Sequence, residues 1–77
     1  MMSGIVKRSV MVSGHKTSIS LEDEFWDRLK VIAAEQKRTL GDIVTGIDQD
    51  RTGTNLSSAI RLFILRDALA RAEGGAA

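Results

Sequence analysis

Residues 16–29 read KTSISLEDEFWDRL, and within this run the hydropathy changes from a period of two to the period of a helix. Over residues 16–21 polar side chains alternate with Thr17, Ile19 and Leu21, which is typical of a strand with one buried face. The apolar residues that follow recur at helical spacing: they are Phe25, Trp26, Leu29, Ile32 and Ala33. So short a strand cannot satisfy its own backbone hydrogen bonds, so it must pair with another strand.

The chain is small for a domain that folds alone. It has 77 residues, and a single core of such a size supplies only roughly 3–5 kcal/mol of stability. Cysteine is absent, which excludes disulfides, and the lone histidine, His15, argues against a tetrahedral metal site. We therefore expect no metal and no cofactor, and oligomerisation remains as the source of additional stability.

The sequence predicts a cytoplasmic protein without a membrane partner. No apolar run approaches the length of a membrane span, about 18 residues, and no charged leader precedes an apolar segment and a cleavage site.

Charge is distributed unevenly along the chain. The net charge is only +1, yet residues 1–21 contain Lys7, Arg8 and Lys16 and no acid, whereas every Asp and Glu lies at or beyond Glu22. The strand region is thus the electropositive end, with the sign expected of a nucleic-acid contact surface. The alternative is a solvated tail whose sign is accidental.

A single domain over residues 1–77 is expected to contain one ribbon strand and three helices. The strand is predicted at 15–21 and the helices at 23–36, 39–50 and 55–72. Residues 5–12 are rich in valine and precede a Ser13-Gly14 turn. The segment 1–14 is therefore either an arm that continues into the strand or an extra strand that folds back on it.

The third predicted helix is apolar around most of its circumference. Its apolar residues are Leu56, Ala59, Ile60, Leu62, Phe63, Ile64, Leu65, Ala68 and Leu69. One small protomer has too few elements to bury such a helix on several sides, which implies a second chain.

The order of these elements resembles the ribbon-helix-helix DNA-binding proteins, a mainly α class with a short β-ribbon. The resemblance covers residues 16–48, with Ser18-Ile19-Ser20-Leu21 in the strand, Lys37-Arg38-Thr39 in the turn between helices, and Phe25, Leu29, Ile32, Ala33, Ile43, Val44 and Ile47 in the helix cores. The longer pattern, which includes Phe25-Trp26 and Asn55-Leu56-Ser57-Ser58-Ala59, is similar to short bacterial proteins that carry this domain almost alone.

The resemblance implies an intertwined homodimer with an additional C-terminal helix. Strands of two protomers would form an antiparallel ribbon that enters the major groove of double-stranded DNA. The core of this dimer would contain Ile19, Leu21, Phe25, Trp26, Leu29, Ile32, Ile43, Val44, Ile47, Ile60 and Phe63.

By the alternation, the side chains that face the bases would be Lys16, Ser18 and Ser20. Lys16 would donate to a guanine or a phosphate, or else it keeps a sheet edge from aggregating. Ser18 can donate or accept a hydrogen bond, or it is a plain solvent-facing serine. Ser20 either contacts a base or caps the first helix.

A second candidate site lies at the start of the second helix, where the hydroxyl of Thr39 can cap the first turn. Arg38 opposes the helix dipole there unless an anion is also bound, and a DNA phosphate held by the free N–H groups would resolve this conflict. Alternatively, Lys37 and Arg38 complement the end of the first helix. Lys7 and Arg8 either contact phosphates or only solubilise the N-terminal segment.

The sequence predicts a sequence-specific DNA-binding homodimer, a transcriptional repressor. The alternative is a protein-interaction or antitoxin-like module that uses the same dimer fold. An enzyme is not expected, because no nucleophile and base, carboxylate pair or metal cluster can be assembled, and no small-molecule substrate is evident. His15 is interpreted as a turn residue.

Overall fold

The computed structural model describes residues 4–75, which form a two-stranded antiparallel sheet followed by three helices. The strands are β1 (Ile5–Val12) and β2 (His15–Glu22), and the helices are α1 (Asp23–Glu35), α2 (Leu40–Asp50) and α3 (Leu56–Gly75). This confirms the predicted ribbon-helix-helix order with an additional C-terminal helix. Positions 1–3 and 76–77 of the expected domain lie outside the described residues.

A two-residue turn joins the strands into a hairpin. Ser13 and Gly14 have φ of 51° and 82°, the type I′ geometry whose twist matches that of the flanking strands. The register pairs Val12 with His15 beside the turn. Residues 5–12 therefore fold back as an extra strand, which was one of the two alternatives. The ribbon strand finds its partner in its own chain, whereas the family resemblance implied a strand of a second protomer.

Short capping interactions set the ends of the first two helices. The N–H groups of Lys37 and Arg38 donate to the carbonyls of Ala34 (3.1 Å) and Ala33 (2.9 Å), a Schellman ending in which Lys37 has a φ of 55°. This ending closes α1 one residue before the predicted position. The hydroxyl of Thr39 accepts a 3.0 Å hydrogen bond from the N–H of Asp42, so α2 itself begins at Leu40.

A side-chain cap also starts α3. The Oδ1 atom of Asn55 accepts a hydrogen bond of 2.8 Å from the N–H of Ser58. The helix then runs to Gly75, three residues beyond the predicted end at 72.

One hydrophobic core joins the inner face of the hairpin to the three helices. The buried residues are Val10, Val12, Ile19, Leu21, Leu29, Ile32, Ala33, Ile43, Val44, Ile47, Ile60 and Ile64, with Phe25, Trp26 and Phe63 partly buried against them. The residues predicted for the dimer core therefore pack within a single protomer. The extra strand is the physical reason, because β1 supplies apolar surface that was expected from a second chain.

Among the residues that the structure describes, no helix combines the length and apolar character needed to cross a membrane.

Candidate nucleic-acid interface

The outer face of the hairpin is mainly polar and electropositive, although Ile5 and Met11 are also exposed on it. Lys16, Ser18 and Ser20 of β2 all lie on the side opposite the buried residues Ile19 and Leu21. Lys16 and Ser18 are exposed and Ser20 is half-buried. The structure thus brings the three predicted base-facing residues together on one surface.

Strand β1 adds further side chains to this face, which we call the ribbon face. The register places Lys7 opposite Ser20, Ser9 opposite Ser18, and Met11 opposite Lys16. Directly opposed residues in antiparallel strands have Cβ atoms about 4.5–5.5 Å apart, so these pairs are neighbours. Ser9 and Met11 were missed from the sequence, although the alternation within 5–12 and the two-residue turn carried the signal.

Arg8, for which a phosphate contact is predicted, does not lie on the ribbon face. It is paired with Ile19 on the inner side of the hairpin. Its guanidinium forms an ion pair with Asp23 and lies 4.8 Å from the centre of the Trp26 ring. Because side chains alternate along a strand, Lys7 and Arg8 point to opposite faces, and the charge of Arg8 is already compensated within the protomer.

Ser20 has a structural role at the end of β2. Its N–H donates to the hydroxyl of Ser57 at 2.9 Å, and its carbonyl accepts from Arg61 at 3.0 Å. The N-cap position of α1 is held by Glu22 without a side-chain cap hydrogen bond. The alternative in which Ser20 caps α1 is therefore wrong, because the residue lies in the strand two positions before the N-cap.

The turn between α1 and α2 presents a second electropositive site. Lys37 and Arg38 are exposed, and an Nη atom of Arg38 donates to the carbonyl of Asp42 at 3.1 Å. The Arg38 side chain thus lies along the first turn of α2. Thr39 uses its oxygen as a cap acceptor, which leaves its hydroxyl proton free to donate. These groups surround the positive end of the α2 dipole.

A shallow groove connects this turn with the ribbon face. It lies between β1 and the start of α2 and is lined by Ser9, Val10, Met11, Trp26, Thr39, Leu40 and Gly41. A methyl group at Gly41 would lie only 2.8 Å from the carbonyl oxygen of Met11, so glycine permits the close approach of α2 to β1. The two candidate sites are therefore parts of one continuous surface.

Most cations in the described part of the chain are paired with carboxylates. Pairs are formed by Arg8, Arg28, Lys30, Arg51, Arg61 and Arg71. Within residues 4–75, the cations without a carboxylate partner are Lys7, Lys16, Lys37, Arg38 and Arg66. Except for Arg66 on α3, they all lie on the ribbon face or in the α1–α2 turn. Uncompensated positive charge is thus concentrated on the surface described above.

The acid Glu22 borders this surface at the open end of the hairpin. A hydrogen bond from its own backbone N–H lowers the pKa of its carboxyl group below the usual 4.5. Partial desolvation raises this pKa, and the ion pair with Arg61 lowers it further. The Nε atom of Arg61 lies 3.1 Å from the carboxylate. Glu22 is therefore ionised at neutral pH, and Arg61 compensates its charge.

No metal centre is formed by the part of the chain that is described: groups of three or more His, Asp or Glu side chains do not converge there. His15 lies beside the hairpin turn and is exposed.

Comparisons with known proteins agree with this fold. The family model described as "Ribbon-helix-helix domain" matches residues 5–68. Among solved structures, the chain is similar to an uncharacterized protein from Bordetella pertussis Tohama I, with a TM-score of 0.77 and 28% sequence identity. The match covers 95% of this chain and 62% of that one, so this chain spans less than two thirds of its length. No curated protein matches.

The family match includes both strands, α1, α2 and most of α3, and hence the whole surface on which uncompensated cations gather. The chain belongs to the ribbon-helix-helix domain family.

Proposed function

We propose that this protein is a sequence-specific DNA-binding regulator, a transcriptional repressor, that inserts the ribbon face of its hairpin into the major groove. The observation that carries the proposal is the gathering of carboxylate-free cations on the ribbon face and in the adjacent α1–α2 turn. A two-stranded ribbon fits the major groove, where its outward side chains reach base edges. The family supports this proposal, because its fold is a DNA-binding, regulatory and generally non-enzymatic one.

The surface divides into base and phosphate contacts. Lys16 and Ser18 project from the ribbon face and are exposed, so they would contact bases. Lys37, Arg38 and the Thr39 hydroxyl surround the start of α2, where the first N–H groups lack intrahelical partners and favour an anion. A phosphate bound there would fix the orientation of the ribbon in the groove. Such a protein would act in the cytoplasm, associated with the nucleoid.

A homodimer is the proposed active form, and the groove between α2 and α3 is the surface on which the second copy docks. The groove has a volume of about 340 Å³ and an apolar floor that includes Ile43, Ile47 and Phe63. Arg38, Asp50 and Arg66 also line it. If two copies pack with their α2 helices antiparallel, the apolar floors of the two grooves face each other across the two-fold axis.

The two glycines of α2 support this docking site. Gly41 is required within the chain, because a methyl group there would lie 2.8 Å from the carbonyl oxygen of Met11. At Gly46 the nearest atom, on the flexible Arg38 side chain, would be 3.8 Å away. A glycine inside a helix costs about 1 kcal/mol relative to alanine, and the packing of this protomer does not require it at Gly46. Close approach of a partner helix accounts for it.

The alternative function is a protein-interaction or antitoxin-like module. It is favoured by α3, on which Leu62, Leu65 and Leu69 are 42%, 51% and 53% exposed. Their spacing places them on one side of the helix. Such a stripe fits an apolar protein surface, whereas the ribbon face fits a polyanion.

Sequence-specific DNA binding is tested in two steps. Bound duplexes are selected from a random pool, and the affinity of the protein is then measured for a selected duplex and for a random one. The double variant Lys16→Ala with Ser18→Ala should lose the preference for the selected duplex, since each good base contact discriminates by roughly 1–3 kcal/mol. A melting temperature equal to that of the unaltered protein would show that the fold of the double variant is intact. Lys30→Ala is the control, because Lys30 pairs with Asp27 on α1. Absence of duplex binding by the unaltered protein would refute the proposed function.

The phosphate site is tested by salt dependence. Arg38→Ala should weaken binding to selected and random duplexes alike and reduce the slope of log affinity against log salt by about one. Lys30→Ala again removes one positive charge elsewhere and should leave the slope nearly unchanged. Equal slopes for Arg38→Ala and the unaltered protein would remove Arg38 from the interface.

A further inference from the structure

The groove between α2 and α3 has the size and the lining of a small-molecule site. Its volume of about 340 Å³ falls within the range of about 300–1,000 Å³ that is usual for such sites. Ala59 and Phe63 of its apolar floor are only partly buried. At Gly46 an added methyl group would lie 3.8 Å from its nearest neighbour, an atom of the flexible Arg38 side chain, so the groove is open at this point. An apolar ligand would therefore bury surface that the protomer leaves in contact with water.

The polar groups of the groove differ between its two ends. At the end formed by the loop between α2 and α3, Asp50 is exposed. Its neighbour Arg51 donates to the carboxylate of Asp48 at 2.6 Å and to the carbonyl of Thr54 at 2.8 Å. The charge of Arg51 is thus already compensated, and Asp50 makes this end unfavourable for an anion.

The walls of the groove away from the loop carry Arg38 and Arg66. Arg38 lies just before the first turn of α2, and Arg66 lies ten residues after Leu56, the start of α3. At a rise of about 1.5 Å per residue, each is roughly 15 Å from the loop along its own helix. Both are exposed, and neither has a carboxylate partner among residues 4–75. These two cations favour a carboxylate, which a guanidinium can bind through two parallel hydrogen bonds.

Resting on the proposed function, we propose that this groove binds a small organic molecule that combines a carboxylate with an apolar chain, and that its binding releases the protein from DNA. The carboxylate lies against Arg38 and Arg66, and the apolar chain covers the floor toward the loop. The charges of the groove select this ligand, because its cations lie away from the loop and Asp50 lies beside the loop.

Two consequences of ligand binding act in the same direction. The ligand occupies the surface on which the second copy is proposed to dock, so it shifts the equilibrium toward the protomer by its preference for that state. It also holds the guanidinium of Arg38, an Nη atom of which contacts the carbonyl of Asp42 in the first turn of α2. This guanidinium is then no longer available to a DNA phosphate at the start of α2. The ligand thus acts as an inducer of the proposed repressor.

Titration calorimetry with sodium octanoate, on the full chain and without DNA, tests the chemistry of the ligand. Octanoate should bind at least about tenfold more tightly than octan-1-ol, which lacks the charge, because the bond to a guanidinium is lost. It should also bind at least about tenfold more tightly than acetate, which lacks the apolar chain. If octanoate does not bind, or binds no better than either control, the inference is wrong.

Two variants locate the site. Arg66→Gln removes one cation of the groove and should weaken octanoate binding at least about tenfold. Lys30→Ala removes one positive charge on α1 and should leave octanoate binding unchanged. Gly46→Leu fills the groove from α2 without a change of charge and should abolish octanoate binding. Octanoate binding that survives both Arg66→Gln and Gly46→Leu would place the ligand elsewhere and overturn the inference.

Nuclear magnetic resonance of the unaltered protein locates the ligand without any substitution, so the test does not depend on the folding of the variants. Octanoate should shift the amide resonances of Ala59 and Phe63, which line the groove. It should leave that of Ser18 on the ribbon face unchanged. The opposite pattern would exclude the groove as the octanoate site.

The regulatory part of the inference is tested with the selected duplex, with sodium acetate at the same concentration as the control for ionic strength. Octanoate should weaken duplex binding by the unaltered protein and by Lys30→Ala, and sedimentation equilibrium should show more protomer. The same octanoate concentration should have little effect on Arg66→Gln, compared with that variant in acetate. Octanoate that binds while the dimer and the duplex affinity stay unchanged would overturn the regulatory part. If the unaltered protein binds no duplex, the proposed function fails, whereas calorimetry without DNA still decides whether the groove binds a carboxylate.

Discussion

The ribbon face and the outer side of α3 are both exposed, but their chemistry is opposite. The ribbon face carries Lys7, Ser9, Lys16 and Ser18, with neither lysine paired to a carboxylate within residues 4–75. The outer side of α3 carries Leu62, Leu65 and Leu69, each about half exposed. The chemistry of the two surfaces therefore fits different classes of partner: a polyanion at the hairpin, and an apolar protein surface at α3.

Two kinds of cation differ in the same way. Arginines near the core hold elements together: Arg61 links β2 to α3, and Arg28 of α1 lies 3.5 Å from Asp67 of α3. These pairs are partly exposed, and ion pairs at the protein surface contribute only about 0–1 kcal/mol of stability each. Their main consequence is that they compensate charge locally. Uncompensated positive charge therefore remains mainly on the lysines of the ribbon face and in the α1–α2 turn.

The largest effect is expected from the inner face of the hairpin, which supports the ribbon face. Ile19 is 1% exposed, and Ile19→Ser removes burial worth roughly 1.5–3 kcal/mol per chain while it also buries a hydroxyl. We expect extensive unfolding, measured by circular dichroism and urea titration. Ser18→Ala, one residue away on the ribbon face, should leave stability nearly unchanged. Equal stability of the two variants would contradict the assignment of the faces, and a destabilised Ser18→Ala beside a stable Ile19→Ser would invert it, as a one-residue register shift would.

The second prediction tests the apolar character of α3. Leu65→Lys should have little effect on an isolated protomer, because Leu65 is 51% exposed. If the leucine stripe continues the docking surface for a second copy, the loss should be roughly 2 kcal/mol per dimer, about 30-fold in the dissociation constant. Sedimentation equilibrium measures this change, and Lys30→Ala on α1 is the control. A dimer that is unaffected by Leu65→Lys would favour a different protein partner for the stripe.

The fold could be predicted from the sequence because its elements have strong local signals. The three helix starts are predicted to within one residue. The signals are the change of period within residues 16–29, the cap residue Thr39 and the break before Asn55. The pairing of β1 was left open, because valine-rich composition indicates a strand but not its partner. The register depends on the geometry of the Ser13-Gly14 turn, in which both residues have positive φ.

The candidate site was less predictable than the fold. The alternation placed Lys16 and Ser18 on one face, but membership of Ser9 in the same face follows from pairing between strands, which sequence periodicity does not fix. Arg8 illustrates the opposite case. It is adjacent to Lys7 in sequence, yet its guanidinium packs over Trp26, 18 positions further along the chain. Local charge patterns cannot show which cations are compensated by distant acids.

The third prediction uses the two glycines of α2, for which the expected effects differ in origin. Gly46→Ala would stabilise an isolated protomer by about 1 kcal/mol through helix propensity, but it should weaken a dimer in which a partner helix approaches that position. Gly41→Ala should destabilise the protomer itself, because of the Met11 carbonyl. Unfolding and sedimentation measurements on both variants separate the two effects. A tighter dimer on Gly46→Ala would exclude close helix contact there.

The smallest effect is expected where the hairpin meets α3, at the ion pair between Glu22 and Arg61. The pKa of Glu22 is lowered in the folded protein, first by its own backbone N–H and then by Arg61. A group with a lowered folded pKa stabilises the fold above its unfolded pKa, near 4.5, and this contribution is lost as the pH falls through the folded value. Glu22→Gln should therefore reduce stability slightly at pH 7, and the difference from the unaltered protein should shrink on acidification below pH 4.5. Urea titrations at a series of pH values measure this difference, with the exposed Glu73→Gln as the matched control. If the stability difference between Glu22→Gln and the unaltered protein stays constant from pH 7 into acid, the ionised Glu22 carboxylate does not stabilise the contact between the hairpin and α3.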